Sequence, residues 1–304
     1  MKPENVTRRK FIYNVSTAVG AGAVLSVPMV SNAATFIKPA ENYTVKQIMD
    51  MFIKDVPGGV LTNTVDTLKS GSPDMVVTGI VTSMFATIAV IHKAVDLGAN
   101  FIIAHEPTFY NHADDTSWLK NDDVYQYKAD LLKQHNIAVW RNHDYIHRHV
   151  PDLVTVGVLA QLDWQKYADH IAPHIVLTMP ATTLKDLVGH TKTKLNIDKV
   201  RYIGNPEQSC SRILLMLGAP GGRRQIEAIV KVKPDVVICG EVQEWETPEY
   251  IRDAQAKGDK TSLVVLGHIA SEEAGSQSLL KWLNEKVPGV KVTRVYCGNS
   301  LSFM

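Results

Sequence analysis

Cysteine is scarce in this chain, with only three residues among 304. Cys210, Cys239 and Cys297 are an odd number, and two of them lie in apolar, strand-like runs, PDVVICG and RVYCG. These positions argue against a disulfide framework, even in an oxidising compartment. They favour small apolar side chains that are buried in the core.

A surplus of charge of one sign is also lacking, because 32 Lys and Arg face 31 Asp and Glu, for a formal net charge of +1. Removing residues 1–33 takes away four basic residues and one acidic residue, which changes the net charge to −2. A chain this close to neutrality carries no electrostatic footprint for nucleic acid. Nucleic acid is therefore not an expected partner.

Several motifs of known chemistry are absent. No serine lies in a nucleophile-elbow sequence. The segment 218–224, GAPGGRR, lacks the Lys-Ser/Thr of a P-loop and the spacing of a dinucleotide fingerprint. We interpret it as a plain turn, although its backbone N–H groups lie where an anion can bind. No short repeat and no low-complexity linker divides the chain.

The first 33 residues have the order of an export signal. Arg8 and Arg9 form a twin-arginine pair, followed by a weakly apolar stretch at 15–30 and a small-residue cleavage site, Ser-Asn-Ala, at 31–33. The stretch is too short and too rich in small residues for a good membrane span. A retained amphipathic anchor is the alternative. The pattern predicts export in the folded state to the periplasm, with no stable membrane span after processing.

Apolar runs of strand length alternate with segments of helical period along the rest of the chain. Strands are predicted at 76–82, 101–104, 137–140, 175–178, 200–203, 213–217, 236–239, 263–266 and 292–296. Helices are predicted at 44–54, 86–97, 118–134, 184–195, 223–230, 248–257 and 272–285. This alternation predicts an α/β fold with two sheets.

Two helix starts have recognisable caps. Thr44 and Gln47 form a capping box, and Thr182 or Thr183 precedes the helix at 184–195. Residues 66–71 are interpreted as a loop that enters the first sheet.

The stretch 148–172 is the least periodic part of the chain, so we place the domain crossover near it. The predicted first domain consists of 40–160 and 265–304, and the predicted second domain is 161–264.

Three short segments carry possible metal ligands just after strand-like runs. They are His105 and Glu106 in FIIAHEPTFY, His143 and His147 in VWRNHDYIH, and His268 and Glu272 in VVLGHIASEE. Imidazole and carboxylate groups that meet at strand ends can bind two divalent cations. The alternatives are an exposed turn, a polar loop and a helix start, respectively. At that helix start, Ser271 would be the cap and Glu272 would favour the positive helix end.

The chain from about Val45 to Tyr296 resembles the GTP cyclohydrolase I type 2 family, also called the Nif-three-like dinuclear metal proteins. Residues 76–110 are similar to the opening block of the family, whose second strand ends in His-His-Pro. VVLGHIASEEAG is similar to its Gly-His-x-x-x-Glu segment, and IAVWRNHDYIH occupies the place of a strand ending in His-Thr-Asn-Leu-Asp. The resemblance implies two α/β domains with a metal site at strand ends between them.

The resemblance assigns the metal ligands to His105, Glu106, His147, His268 and Glu272. Two of these positions depart from the family pattern, because Glu106 replaces a histidine and His147 replaces an aspartate. The exchange leaves three imidazoles and two carboxylates, so the total ligand charge is unchanged. The implied cofactors are two divalent ions from among Zn, Fe, Mn and Ni.

His143 and Glu272 are the residues expected to act in catalysis. Glu272 can bridge two cations because a carboxylate has two oxygens. His143 is expected beside the ligands, where its ring N–H can orient a ligand or an incoming substrate.

The resemblance implies a metal-dependent hydrolase of a small molecule, and a homo-oligomer, because the family forms hexameric rings. Within 240–246 the family usually has Gly-Asp and later His-Asp, whereas this chain has Glu241, Trp245 and Glu246. We interpret Trp245 as a packing residue. A periplasmic protein meets little GTP, so the substrate is left open. The alternative is a metal-binding or scaffold ring without turnover.

Overall fold

The structure is a computed structural model, which describes residues 42–170, 175–302 and 304. The predicted export signal at 1–33 and residues 171 and 172 of the predicted crossover lie outside these residues. The described residues belong to one compact unit. The proposed division into two domains therefore stays a prediction.

Eleven strands and ten α-helices alternate along the described residues. The strands are β1 (Leu68–Ser70), β2 (Ile80–Ser83), β3 (Phe101–Ala104), β4 (Ala138–Arg141), β5 (Ala168–His170), β6 (Ile175–Thr183), β7 (Arg201–Ile203), β8 (Ser209–Met216), β9 (Val236–Cys239), β10 (Ser262–Val265) and β11 (Val292–Arg294). The helices are α1 (Val45–Asp55), α2 (Ile88–Asp96), α3 (Asp123–Gln134), α4 (Asp144–Arg148), α5 (Leu153–Leu162), α6 (Leu184–Leu195), α7 (Gly222–Val232), α8 (Thr247–Lys257), α9 (His268–Glu272) and α10 (Ala274–Lys286). Two short 3-10 helices lie at Ser117–Leu119 and Gln165–Tyr167.

The strands form two sheets, which confirms the predicted α/β class. The first sheet has the order β1-β4-β3-β2-β11, and only β1 is antiparallel to its neighbour. The second has the order β5-β6-β8-β9-β10-β7, with β8, β9 and β10 parallel. The central strands β2, β3, β4, β9 and β10 are buried throughout. Burial on both faces is typical of parallel strands covered by helices.

One apolar cluster extends from the first sheet to the second. It includes Phe52 and Trp140 on the side of the first sheet, Val158 from α5, and Leu177 and Val264 in the second sheet. The Phe52 and Trp140 rings meet edge to face with centroids 5.9 Å apart. This shared core places the ends of strands from both sheets close to one another.

Elements with a clear sequence signal lie where they were predicted. β3, β9 and α6 have the predicted bounds. The capping box is present, because Gln47 N donates to Thr44 Oγ1 at 3.2 Å and Thr44 N donates to Gln47 Oε1 at 2.8 Å. Thr183 caps α6 by accepting from Asp186 N at 3.0 Å.

Some boundaries differ for local reasons. α3 begins later than predicted because the Asp122 carboxylate accepts from Tyr125 N at 2.8 Å, which makes Asp122 the cap. Residues 66–71 were predicted as a loop, which is wrong, because Leu68 and Ser70 pair with β4.

The aperiodic stretch 148–172 contains α5, which the sequence analysis missed. Asp152 caps this helix by accepting from Val154 N at 2.8 Å. α5 packs so closely on α10 that a Cβ at Gly157 would lie 2.3 Å from the carbonyl oxygen of Ala274. A helix that is apolar on nearly every side has no polar stripe and therefore no visible helical period.

Cys210 and Cys239 are buried as predicted, Cys297 is half-buried, and all three thiols are free. Among the described residues, no helix is long and apolar enough to cross a membrane.

Candidate metal centre

The predicted site residues follow the carboxyl ends of parallel strands. His105 and Glu106 come directly after β3, His143 follows β4, and His268 follows β10. Hydrogen bonds from His105 N to Ser83 O at 3.1 Å and from Glu106 N to Met84 O at 2.8 Å continue the sheet pairing past β3. Ligands in open α/β sheets bind at this edge because the chain leaves the sheet there.

The six predicted site side chains converge. We call His105, Glu106, His143, His147, His268 and Glu272 the His/Glu cluster. His268 Nε2 lies 3.0 Å from both Glu106 Oε1 and Glu272 Oε2. His105 Nε2 lies 3.6 Å from Glu272 Oε2, and His147 Nε2 lies 3.8 Å from Glu272 Oε1. The structure therefore brings together residues that are up to 167 positions apart in the chain.

Every histidine of the cluster points its Nε2 atom toward the carboxylates and its Nδ1 atom away from them. Their Nδ1 atoms bond outward, to Asn142 O at 3.2 Å from His105, Asp144 Oδ1 at 3.0 Å from His143, Asp152 Oδ2 at 3.0 Å from His147 and Glu241 Oε1 at 2.9 Å from His268. An oxygen that accepts from Nδ1–H leaves the Nε2 lone pair free to bind a metal. Four Nε2 atoms thus face the two carboxylates of Glu106 and Glu272.

The cluster fits a metal better than it fits hydrogen bonding alone. His105 Nε2 is buried and has no hydrogen-bond partner within the described residues. The ligand atoms of His105, His143 and His147 lie within 4.8 Å of one another, and those of His105, Glu106 and Glu272 do so too. His105 belongs to both groups, so the two groups share one imidazole. Buried nitrogen and oxygen donors at this spacing can hold divalent ions.

The ionisation of the cluster supports the same conclusion. Burial alone would lower the pKa of His268, but its hydrogen bonds to Glu106, Glu241 and Glu272 raise the pKa to about 12. Burial alone would raise the pKa of Glu272, but the neighbouring imidazoles of His105 and His268 lower it strongly. A proton on His268 therefore balances buried carboxylates, and a divalent cation can replace that proton when it binds.

His143 is held in its neutral form. Burial and the charge of His105 lower its pKa to about 4. Its Nε2 lies 3.8 Å from Glu106 Oε1, and its ring stacks on His105 with centroids 4.8 Å apart. His143 was predicted to support the ligands, and its position also allows it to bind a metal directly.

A cavity of about 410 Å³ opens beside the cluster. Glu106, His143, His147, His268 and Glu272 line part of its wall. The volume is within the range of about 300–1,000 Å³ that small-molecule sites occupy.

The loop after β8 approaches the cluster at Gly218. Gly218 has a φ of +63°, and a Cβ there would lie 2.5 Å from Glu272 Oε1. Only glycine can occupy this position without displacing Glu272.

The sequence of the chain matches a known protein family. Residues 44–298 match the family model for DUF34/NIF3 (NGG1p interacting factor 3). The chain belongs to the DUF34/NIF3 family.

Relatives of this DUF34/NIF3 chain include the GTP cyclohydrolase 1 type 2 homolog of Escherichia coli (strain K12). It is 25% identical over 206 residues, which cover 68% of this chain and 79% of the relative. The homolog of Staphylococcus aureus (strain Mu50) is 27% identical over 171 residues, which cover 54% of this chain and 40% of the relative. A Bacillus cereus protein related to NIF3 has a similar fold, with a TM-score of 0.69, 14% identity, and coverage of 86% of this chain and 99% of that one. The resemblance to the GTP cyclohydrolase I type 2 family is confirmed.

One alternative and one interpretation of this DUF34/NIF3 sequence are wrong. Ser271 does not cap a helix at Glu272, because Ser271 lies inside α9, where its Oγ donates to His268 O at 2.7 Å and accepts from Gly218 N at 3.0 Å. Glu272 is 3% exposed and points into the cluster. Trp245 is not a packing residue, because 74% of its surface is exposed.

The sequence analysis missed the residues that surround the cluster. Asp152 and Asp144 orient histidines, and the fully buried Arg141 lies beside Glu106, with Nη2 3.5 Å from Oε2. Asp144 and Asp152 follow the predicted ligands closely in the chain, which was a usable signal. The sequence signal for Arg141 was weaker. A glutamate at the end of a buried strand needs a nearby cation to balance its charge.

Proposed function

We propose that this DUF34/NIF3 protein binds two divalent metal ions in the His/Glu cluster and hydrolyses a small molecule in the adjoining cavity. One observation carries the proposal. Four histidine Nε2 atoms surround two buried carboxylates at the wall of a 410 Å³ cavity, and each Nδ1 is bonded outward. This arrangement orients four imidazole Nε2 atoms toward a shared centre before any metal binds.

His105, Glu106, His147, His268 and Glu272 are the proposed ligands. A mixture of imidazole and carboxylate donors suits Zn, Fe, Mn or Ni ions. Glu272 has one oxygen near His268 and His105 and the other near His147, so its carboxylate is placed to bridge two ions. Bound divalent ions would supply Lewis acidity and an acidified water at neutral pH.

His143 is the proposed catalytic partner of Glu272. It lines the cavity, and it is neutral because its pKa is lowered to about 4. Asp144 Oδ1 accepts from its Nδ1 at 3.0 Å, which leaves Nε2 able to hold or move a proton of a bound molecule. The names of the curated relatives point to cyclohydrolase chemistry.

We further propose that the protein is exported by the twin-arginine route, works in the periplasm and assembles as a homo-oligomer. The export proposal depends on Arg8, Arg9 and the pattern that follows them. Oligomerisation to a hexameric ring is an expectation from the family resemblance. Folding before export would let the protein acquire its metal in the cytoplasm.

The test compares two neighbouring glutamates in protein purified from its native compartment. Glu272→Gln removes a proposed bridging charge, whereas Glu273→Gln changes a carboxylate that bonds Ser276 Oγ at 2.9 Å. We expect elemental analysis to find about two ions per chain in the wild type and in Glu273→Gln, and fewer in Glu272→Gln. We also expect the wild type to hydrolyse at least one compound among nucleotides, phosphoesters and cyclic amides.

Two results would reject parts of the proposal. Equal metal content in both variants would remove Glu272 from the ligand set. Normal metal binding without any hydrolysis above the Glu272→Gln background would leave the alternative function, a metal-binding or scaffold protein without turnover.

A further inference from the structure

The cavity beside the His/Glu cluster has one cationic side chain that the proposed chemistry does not use. Arg224 lines this cavity from the first turn of α7. Much of the remaining wall is apolar and includes Ile175, Leu215, Leu217 and Pro220. A wall that is partly apolar suits the body of an organic molecule better than a bare inorganic ion.

Arg224 differs from the arginine beside it. Arg223 Nε lies 2.8 Å from Glu227 Oε1, so its charge is paired along the helix. Arg224 has no carboxylate partner among the residues that the structure describes. Its guanidinium is therefore free to bind a ligand, and guanidinium groups bind phosphate and carboxylate in a bidentate manner.

The backbone at the start of α7 does not provide the anion site. Glu246 Oε2 already accepts from Gly222 N at 2.9 Å, so a carboxylate of the protein caps this helix end. That cap would repel a second anion at the backbone N–H groups. The side chain of Arg224 remains the group able to bind an anion in this part of the cavity.

We propose that Arg224 binds an oxyanion of the molecule in this cavity, so that the substrate is a small organic phosphate or carboxylate. The assignment of this molecule as a substrate rests on the proposed function. The His/Glu cluster would act on another part of the same molecule, and the apolar wall would contact its body.

The test uses three ligands of similar size on the metal-loaded protein: phenyl phosphate, benzoate and the neutral benzamide. Calorimetry measures their binding to the wild type, to Arg224→Gln and to Arg223→Gln. Both variants lose one positive charge at adjacent positions, but only Arg224 lines the cavity. Circular dichroism confirms that the variants are folded, which we expect because both side chains are exposed.

We expect Arg223→Gln to bind phenyl phosphate or benzoate with the same affinity as the wild type. Arg224→Gln should weaken that binding about 10-fold or more, because it removes a charge-assisted hydrogen bond. Benzamide binding should not change. The anion that binds more tightly shows whether Arg224 recognises a phosphate or a carboxylate.

The proposal is overturned if the wild type binds neither anion, or if the two variants have equal affinity. Its failure is separable from failure of the proposed function. Hydrolysis that needs metal but not Arg224 would reject this inference alone. Anion binding that depends on Arg224 in a protein without turnover would reject the hydrolase alone.

Discussion

The guanidinium Nη2 of Arg141 lies 3.5 Å from Glu106 Oε2, and both residues are buried. On its other side, Arg141 Nη1 lies 3.5 Å from Asp114 Oδ2. The family resemblance places a neutral histidine where this chain has Glu106. Arg141 supplies a cation next to the carboxylate at this position, so the charge of Glu106 is balanced within the fold as well as by any metal.

Arg141→Met should destabilise the metal-free protein. It would remove a fully buried guanidinium from between Glu106 and Asp114, and removing one partner of a buried ion pair typically costs about 3–5 kcal/mol. Lys69 Nζ would remain 3.2 Å from Asp114 Oδ2, and His268 Nε2 3.0 Å from Glu106 Oε1, so the expected loss is toward the lower end of this range. Urea denaturation gives the free energy of unfolding. Arg223→Met is the control, because its pair with Glu227 is exposed to solvent and contributes little to stability. A loss no greater than that of the control would mean that Arg141 does not stabilise the carboxylates.

His143→Ala tests whether this residue supports the metal site or binds a metal itself. If His143 only supports the site, its loss should leave both ions bound and should lower metal affinity or turnover about 10–100-fold. His147→Ala, which removes a proposed ligand, should lose at least one ion. Elemental analysis after dialysis distinguishes the two. Loss of an ion from His143→Ala would make His143 a ligand, which its 3.8 Å distance to Glu106 also permits.

Local signals in the sequence were sufficient for much of the fold. The Thr44–Gln47 capping box and the apolar run 101–104 depend on neighbouring residues alone, and both were predicted correctly. Helix α5 was missed because its burial on most sides comes from the tertiary structure. Strand β1 was missed because three half-buried residues have no recognisable alternation.

In the candidate site, too, local signals could be read from the sequence, whereas contacts between segments could not. Ligand-type residues at strand ends were visible in the sequence, because parallel strands end at a common edge. The pairing of Arg141 with Glu106 depends on how segments that are 35 positions apart in the chain pack together. Trp245 was misjudged because the usual burial of tryptophan says nothing about one on an exposed loop.

Export should depend on the arginine pair near the start of the chain. Replacing Arg8 and Arg9 with lysine keeps the charge but removes the pattern that the twin-arginine receptor reads. We expect the precursor of this double variant to remain in the cytoplasm, as measured by fractionation and immunoblotting. Lys10→Arg, which exchanges the same two residue types outside the pair, should be exported normally. Unchanged periplasmic yield of the double variant would reject this route.

Lys128 should make stability depend on pH at alkaline values. Its side chain is buried and donates from Nζ to Thr108 O at 2.6 Å. Burial lowers the pKa of Lys128 from 10.5 to about 8. Between these values the unfolded chain holds a proton that the folded chain has lost, so this residue makes the fold more stable as the pH rises from 8 to 10.5.

Lys128→Met should remove this contribution. The free energy of unfolding of the wild type should rise relative to that of the variant by up to about 3 kcal/mol across the interval, since each pKa unit corresponds to about 1.4 kcal/mol. Urea denaturation at pH 7.5, 9 and 10.5 measures the difference. Lys133 lies on the exposed side of the same helix. The free energy of unfolding of Lys133→Met should therefore change with pH in parallel with that of the wild type. A wild-type curve parallel to that of Lys128→Met would mean that Lys128 keeps its proton in the folded protein, and that the 2.6 Å bond to Thr108 O stabilises the ammonium more than burial destabilises it.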